Sequence, residues 1–276
     1  MIQNMVMGSA SGLPAFEYSG QHKMVDEGRA DGTYNWRLRL LTSGVLTFKR
    51  NPGDLEVFLV GGGGGGGFYD GGGGGGGYTK TQTISLKANV SYTIEVGGGG
   101  DGAPTAAEAS GDGGVSSITE TETGVVLATV NGGHGGGTRP SNVSAVGGDG
   151  GSGGGCGGAD SQFGGVGGSD GSDGVTGWTA KEGKGQGTTT REFGEPEGQL
   201  YAGGGGGGSG KAAAAGGEGG GGNGGYDSGE LMAEAGDANT GGGGGGGSDA
   251  GTWRPGAAGG SGIVIIRNRR IAAAGA

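Results

Sequence analysis

The sequence predicts an all-β protein: an antiparallel β-sandwich platform with an inserted bundle of polyglycine II helices. Three observations carry that expectation. Short runs of β-branched and aromatic residues recur between turn residues, and no sustained helical spacing of apolar positions appears. Four unbroken glycine tracts occur, Gly61–Gly67, Gly71–Gly77, Gly203–Gly208 and Gly241–Gly247. Strand-like runs also pass straight into tracts, as at Leu59-Val60-Gly61, Glu95-Val96-Gly97 and, in the reverse sense, Gly260-Ser261-Gly262-Ile263. Extended and polyproline II dihedrals are close enough for a chain to cross between them without a turn.

The strands are read in chain order. Residues 1–42 have ordinary composition and are set apart, although Trp36, Leu38 and Leu40 alternate with Arg37 and Arg39 in a period-two signal. Val45–Lys49 and Leu55–Val60 flank Asn51-Pro52-Gly53-Asp54, a turn in which proline presets φ and glycine supplies the freedom. Further runs are Thr81–Lys87, Tyr92–Val96, Ser116–Thr121, Val125–Val130 and Ile263–Arg267. Short strands with almost no helical pattern read as a sandwich. The expected platform is 43–130 plus 262–270, and the expected bundle is 61–77 plus 131–261, followed by a short tail at 271–276.

The tracts pose the physical problem. Glycine loses more conformational freedom on folding than any other residue, so a lone run is a flexible linker. The ordered alternative is the polyproline II form, with three residues per turn, about 3.1 Å of rise and no internal hydrogen bonds. Every N–H and C=O then points outward and needs a partner when buried; parallel neighbours of the same kind supply it. Ordering costs about 1–2 kcal/mol per residue, and net hydrogen bonds return about 0.5–1.5 kcal/mol each. The bundle is therefore marginal alone and depends on the sandwich for register. The four bare tracts are expected at its centre, with Phe68-Tyr69-Asp70 reversing the chain at the end far from the platform. Period three also sorts the edges: Gly165, Gly168, Gly171, Gly174 and Gly177 fall in step, with Ser169, Asp170, Ser172 and Asp173 between them.

Composition limits the function classes. Glycine supplies 86 of 276 residues, with six prolines and no strict three-residue repeat, which argues against collagen. A net charge of −10 disfavours nucleic acid and anionic membranes as partners. One cysteine, Cys156, excludes an intrachain disulfide framework. The longest late apolar run, Ile263–Ile266, is too short to span a bilayer, and Met1–Met7 lacks the basic and apolar regions of a secretory signal. Gly205–Lys211 has phosphate-loop spacing, but Ala212 stands where Ser or Thr would hold magnesium. His22 and His134 make no metal pair, and Asp170 and Asp173 read as solvated carboxylates rather than a calcium site. No cofactor and no metal are expected. Glu192, Glu195 and Glu197 are candidates for paired catalytic carboxylates but sit on a flexible-looking loop, and the chain is read as not an enzyme.

The side chains that interrupt glycine are the candidate binding set. Tyr69, Phe163, Trp178, Phe193, Tyr201, Tyr226, Trp253 and Arg254 fall between tracts, several within the long insertions Trp178–Tyr201 and Tyr226–Thr240. Loops on rigid scaffolds carry most binding, and aromatics with arginine are the usual interface anchors. The expectation is a set of tip loops at the bundle's far end; the alternative is that they only cap it.

The stretches Val45-Leu46-Thr47-Phe48, Leu55–Gly64, Tyr92–Gly97 and Gly260–Arg267 resemble the glycine-rich domain of bacteriophage and prophage tail proteins. Their order is similar to the glycine-rich module of the anaplastic lymphoma kinase receptors and to polyglycine-sandwich adhesins at phage fibre tips. The resemblance covers about 44–270, and Met1–Gly8 resembles the start of tail proteins in prophages of gut Gram-positive bacteria. It departs from the receptors by lacking their cysteines and membrane span. It implies a virion protein of the tail, assembled in the host cytoplasm. Its residues 1–42 would attach to other fibre or baseplate proteins. Its tip would bind host cell-surface carbohydrate or a surface protein, as a homo-oligomer on the particle. The alternative is a structural or decoration component of the virion that binds nothing.

Overall fold

The computed structural model describes residues 12–30, 33–139, 145–158, 163–168, 171–177, 181, 183, 190–210, 214–227, 231–249 and 254–269. The described chain is all-β, with ten strands in two antiparallel five-stranded sheets. They are β1 Phe16–Tyr18, β2 His22–Ala30, β3 Thr33–Leu40, β4 Gly44–Phe48, β5 Asp54–Val60, β6 Thr79–Ser85, β7 Ser91–Glu95, β8 Ser116–Glu120, β9 Val126–Val130 and β10 Ile263–Asn268. One sheet has the order β1-β4-β7-β8-β9 and the other β2-β3-β10-β5-β6. A short 3-10 turn lies at Glu192–Gly194.

The core lies between the sheets. Trp36, Leu38 and Leu40 of β3, Leu55, Val57 and Leu59 of β5, and Val264 and Ile266 of β10 meet Leu46, Phe48, Tyr92, Ile94 and Ile118 from the opposite sheet. Alternation places these residues on one face, and all of them are buried. The expectation that 1–42 stands apart from the platform is corrected here. Residues 16–40 supply β1, β2 and β3, and β3 pairs with β10 in the register Leu40↔Val264 and Leu38↔Ile266. Ordinary composition marks a normal amphipathic strand pair, not a separate unit.

Six strand ends face the glycine. Val60 pairs with Thr79 and with Ile263, Ser117 with Glu95, and Ser116 with Val130. The three insertions therefore leave and re-enter the sandwich at one end, where the sheet ladder hands its hydrogen bonds directly to the tracts. The first such bond beyond β5 and β6 runs from Gly61 N–H to the Tyr78 carbonyl at 3.0 Å.

Within the tracts the hydrogen bonds are lateral and repeat every three residues. Gly61, Gly64 and Gly67 donate to Tyr78, Gly75 and Gly72; Gly62 and Gly65 donate to Gly114 and Gly111; Gly63 and Gly66 donate to Gly260 and Ala257. The carbonyls follow the same rule. Those of Gly62 and Gly65 accept from Gly133 and Gly136, those of Gly63 and Gly66 from Gly100 and Ala103, and those of Gly64 and Gly67 from Gly244 and Gly247. Tract 61–67 therefore donates to three antiparallel segments and accepts from three parallel ones. That is hexagonal packing of extended chains. Gly71–Gly77 behaves likewise, donating by threes to 241–247, 131–137 and 152–155. All residues of the four bare tracts are buried, as expected of the centre.

At the bundle's outer surface a neighbour is missing on one side, and side chains take its place. The Val166 N–H donates to Asp149 Oδ1 at 2.6 Å, Gly167 N–H to Asp173 Oδ1 at 2.8 Å, and Gly135 N–H to Asp112 Oδ1 at 2.9 Å. Asn223 and Thr176 do the same for Gly216 and Gly164, and the Ser110 hydroxyl donates to the Gly136 carbonyl at 2.6 Å. These three carboxylates thus close exposed N–H groups that would otherwise invite another chain.

Packing this close leaves no space for a side chain. A Cβ at Gly64 would sit inside the van der Waals envelope of the His134 carbonyl oxygen, with backbone on every side, whereas one at Gly98 meets nothing within 4 Å. Gly64→Ala is predicted to destabilise the protein by about 2 kcal/mol or more, and Gly98→Ala to change stability by no more than about 0.5 kcal/mol. Chemical denaturation of both variants checks this.

Candidate functional site

The described loops gather at two ends of the bundle, and their chemistry differs. At the far end the chain reverses at Phe68-Tyr69-Asp70. Tyr69 and Asp70 adopt φ of 51° and 49°, a left-handed conformation that costs side-chain-bearing residues energy and persists where surroundings fix it. Two other segments do the fixing. Phe68 N–H donates to Thr138 Oγ1 at 3.3 Å, and the Phe68 carbonyl accepts from Arg139 N–H at 3.2 Å. Tyr69 N–H donates to the Arg254 carbonyl at 3.2 Å.

Side chains lock the same three segments. The Tyr69 hydroxyl donates to Asp249 Oδ2 at 3.1 Å, Arg139 Nη1 donates to Asp70 Oδ2 at 3.2 Å, and the Arg139 guanidinium lies 5.6 Å from the Tyr69 ring centre. Burial, then the charge of Asp249, pushes the Asp70 carboxyl up to about 6, while Arg139 pulls it down. Nearby, Tyr226 and Leu231 exchange backbone hydrogen bonds at 2.9 and 3.0 Å. Arg254 Nη1 rests on the Met232 thioether at 2.8 Å. Leu231 and Met232 are 53% and 51% exposed. This apex presents aromatic, cationic and aliphatic groups together.

At the platform end the loop 190–202 covers the outer face of the second sheet. Phe58, Val60, Ile263 and Ile265 point away from the sandwich core and pack against Tyr201 and Ala202, with Phe193 beside them. The Phe58 ring lies 5.3 Å from Tyr201 and 5.8 Å from Phe193. Above them runs an ionic lattice. Glu192, 1% exposed, accepts from Arg37 and Arg39 at 2.6 Å each and from the Tyr201 hydroxyl at 3.0 Å. Glu195 accepts from Arg37 at 2.9 Å and from Arg267, and the Arg267 guanidinium lies 3.9 Å from the Phe193 ring centre. Burial would lower the Arg37 guanidinium, but Glu192, Glu195 and Glu27 outweigh it and raise it above its ordinary value. The lattice latches the insertion to the sheet.

The eight candidate binding residues therefore separate. The structure brings Tyr69, Tyr226 and Arg254 to the apex. It places Phe193 and Tyr201 on the sheet instead, which corrects the tip-loop assignment for both: the apolar outer face of β5 and β10 claims their rings, and Tyr201 is fully buried. Phe163 is 61% exposed on an outer tract, in the same threefold row as Val166 at 60%. Trp178 and Trp253 lie outside the described residues. Arg139, Asp70 and Asp249 join the apex as well, although they lie outside the candidate binding set. Of the candidate carboxylates, Glu192 and Glu195 are engaged by arginines and Glu197 is exposed.

Cys156 is buried in the lattice, its thiol facing the Gly177 carbonyl at 3.4 Å and pushed up by burial. Among the described residues no group of three or more His, Cys, Asp or Glu has metal-site geometry, and no helix is long and apolar enough to cross a membrane. A family model described as a glycine-rich domain matches residues 41–269. No curated protein matches the chain.

The Asp70 carboxyl gives a pH prediction. Its folded value of about 6 lies above the ordinary 3.8, so the folded state holds the proton more tightly than the unfolded one. Its contribution to stability is fully present below about pH 4 and is lost as pH rises through about 6. A carbon-13 carboxyl titration should place its midpoint near pH 6, and Arg139→Gln, which removes the lowering partner, should move that midpoint higher.

Proposed function

We propose, from the premise that this chain belongs to the glycine-rich domain family whose model covers residues 41–269, that it is a receptor-binding adhesin of a bacteriophage tail. The β-sandwich docks on the particle, and the loops at the far end of a polyglycine II bundle touch the host surface. One observation carries the reading: a laterally bonded glycine lattice, anchored at a single end of the sandwich, gathers Tyr69, Arg139, Tyr226, Leu231, Met232 and Arg254 at its opposite end. The threefold repeat of the hydrogen bonds is the repeat of the polyproline II form, which supports the polyglycine II assignment. A stiff support holds recognition loops at a fixed distance without immobilising them at the moment of binding. Several copies on one particle would convert weak single contacts into firm adsorption.

The partners follow from this reading: a carbohydrate or protein of the host surface at the apex, and fibre or baseplate proteins at the platform. With β1 to β3 built into the sandwich, attachment falls to its exposed surfaces rather than to a separate 1–42 segment. The protein performs no catalysis in this account and works on the virion. A second reading, a structural or decoration component, draws on the mutual pairing of Tyr69, Asp70, Arg139 and Asp249, which suits a plain bundle cap.

The two readings separate on cells. Fluorescent full-length protein is applied to a panel of Gram-positive gut isolates as wild type, as Tyr69→Ala/Tyr226→Ala, and as the platform variant Val125→Ser. The adhesin reading predicts at least about a tenfold loss of adsorption for the apex double variant and none for Val125→Ser. Equal adsorption of apex variant and wild type would favour the structural component.

A further inference from the structure

Five of the described arginines, four at the platform end and Arg139 at the apex, are matched to carboxylates, and Arg191 donates to the Gly198 carbonyl. Arg37, Arg39 and Arg267 share Glu192, Glu195 and Glu56, Arg269 meets Asp54, and Arg139 meets Asp70. Arg254 is different. Among the described residues no carboxylate pairs with it; Nη1 leans on the Met232 sulfur at 2.8 Å, and Nε is enclosed without an acceptor. A thioether is a weak acceptor, so it positions the guanidinium without neutralising it.

The backbone beneath is fixed as well. Arg254 N–H donates to the Ser248 carbonyl at 3.1 Å, and the Arg254 carbonyl accepts from Tyr69. Met232 stands beside this cation and Leu231 is its neighbour in the chain, each about half exposed. A planar donor fork without a counter-ion is built to take a carboxylate or phosphate. Aliphatic surface at its edge is suited to the C–H face of a sugar or polyol. In a chain of net charge −10, an unmatched arginine in a preorganised place stands against the general field.

We infer that Arg254 with Leu231 and Met232 forms a subsite for an acidic polysaccharide or polyol phosphate of the host envelope, the anion on the guanidinium and the carbon skeleton against the two apolar side chains. The inference rests on the adhesin reading and names its ligand class. A repeating anionic polymer fits better than a folded protein epitope, because one cation per apex binds weakly and gains only from repetition along both partners. The contact is electrostatic and fades with salt.

The test uses the full chain immobilised on a sensor surface, with polygalacturonate, poly(glycerol phosphate) and neutral dextran as probes at low and at physiological salt. Both acidic polymers should be retained and dextran should not, and the stronger of the two tells carboxylate from phosphate. Arg254→Gln should lose about tenfold or more of that retention, and Arg254→Lys should recover part of it, with unchanged melting temperatures showing that the variants are folded. Equal retention of dextran, or wild-type retention by Arg254→Gln, overturns the inference.

Adsorption to cells separates it from the reading beneath. If Arg254→Gln adsorbs like wild type while Tyr69→Ala/Tyr226→Ala fails, the apex still binds the host and the anionic class is wrong. If protease treatment of the cells abolishes adsorption and neither acidic polymer competes, the partner is a protein and the inference falls. If every apex variant adsorbs like wild type, the adhesin reading itself falls.

Discussion

The structure depends on one condition: the main-chain N–H and C=O groups of the glycine tracts bond sideways to neighbouring tracts, because nothing inside a tract can satisfy them. That condition dictates the composition. A chain with six hydrogen-bonded neighbours has no room for a Cβ, as the surroundings of Gly64 make plain. It also dictates the edges. Where a neighbouring tract is absent, Asp112, Asp149 and Asp173 accept the exposed N–H groups, so the lattice ends in carboxylates rather than open backbone. Glycine within and acid outside are two consequences of the same geometry.

Such a lattice buries almost no apolar side chain, and the sandwich supplies what it lacks. The register Val60↔Thr79, Val60↔Ile263 and Ser116↔Val130 aligns the strands that launch and receive the tracts, so their threefold repeats begin in step. The ionic latch of Glu192 and Glu195 on Arg37, Arg39 and Arg267 fastens the long insertion at its midpoint. Buried ion pairs contribute little net stability over apolar replacements. Their part here is positional: they hold Tyr201 and Ala202 where the next tract must begin.

Much of this was legible in the residues. The runs at Leu55–Val60 and Ile263–Arg267, the turn at Pro52-Gly53 and the passage of strand into tract marked the sandwich, the bundle and the junctions between them. The arrangement of 1–42 was not legible, because β3 pairs with the distant β10 and its Arg37 and Arg39 find carboxylates on the 190–201 loop, far away in sequence. Phe193 and Tyr201 resembled apex aromatics only because the surrounding glycine hides where each loop lies. A usable signal existed: Val57-Phe58-Leu59-Val60 and Ile263–Ile266 are apolar without alternation, which requires cover on both faces of the sheet. The apex itself was half visible. Tyr69 and Arg254 stood out, but Arg139, Asp70 and Asp249 matter through pairings that only the folded lattice creates.

Amide hydrogen exchange along Gly61–Gly77 and Gly203–Gly208 reaches the central claim most directly. The account predicts that these glycine amides exchange as slowly as those of Leu59 and Ile265 in the sandwich, and that protection drops together when the protein unfolds. Exchange at the rate of a free glycine peptide throughout the tracts, beside a protected sandwich, would contradict it.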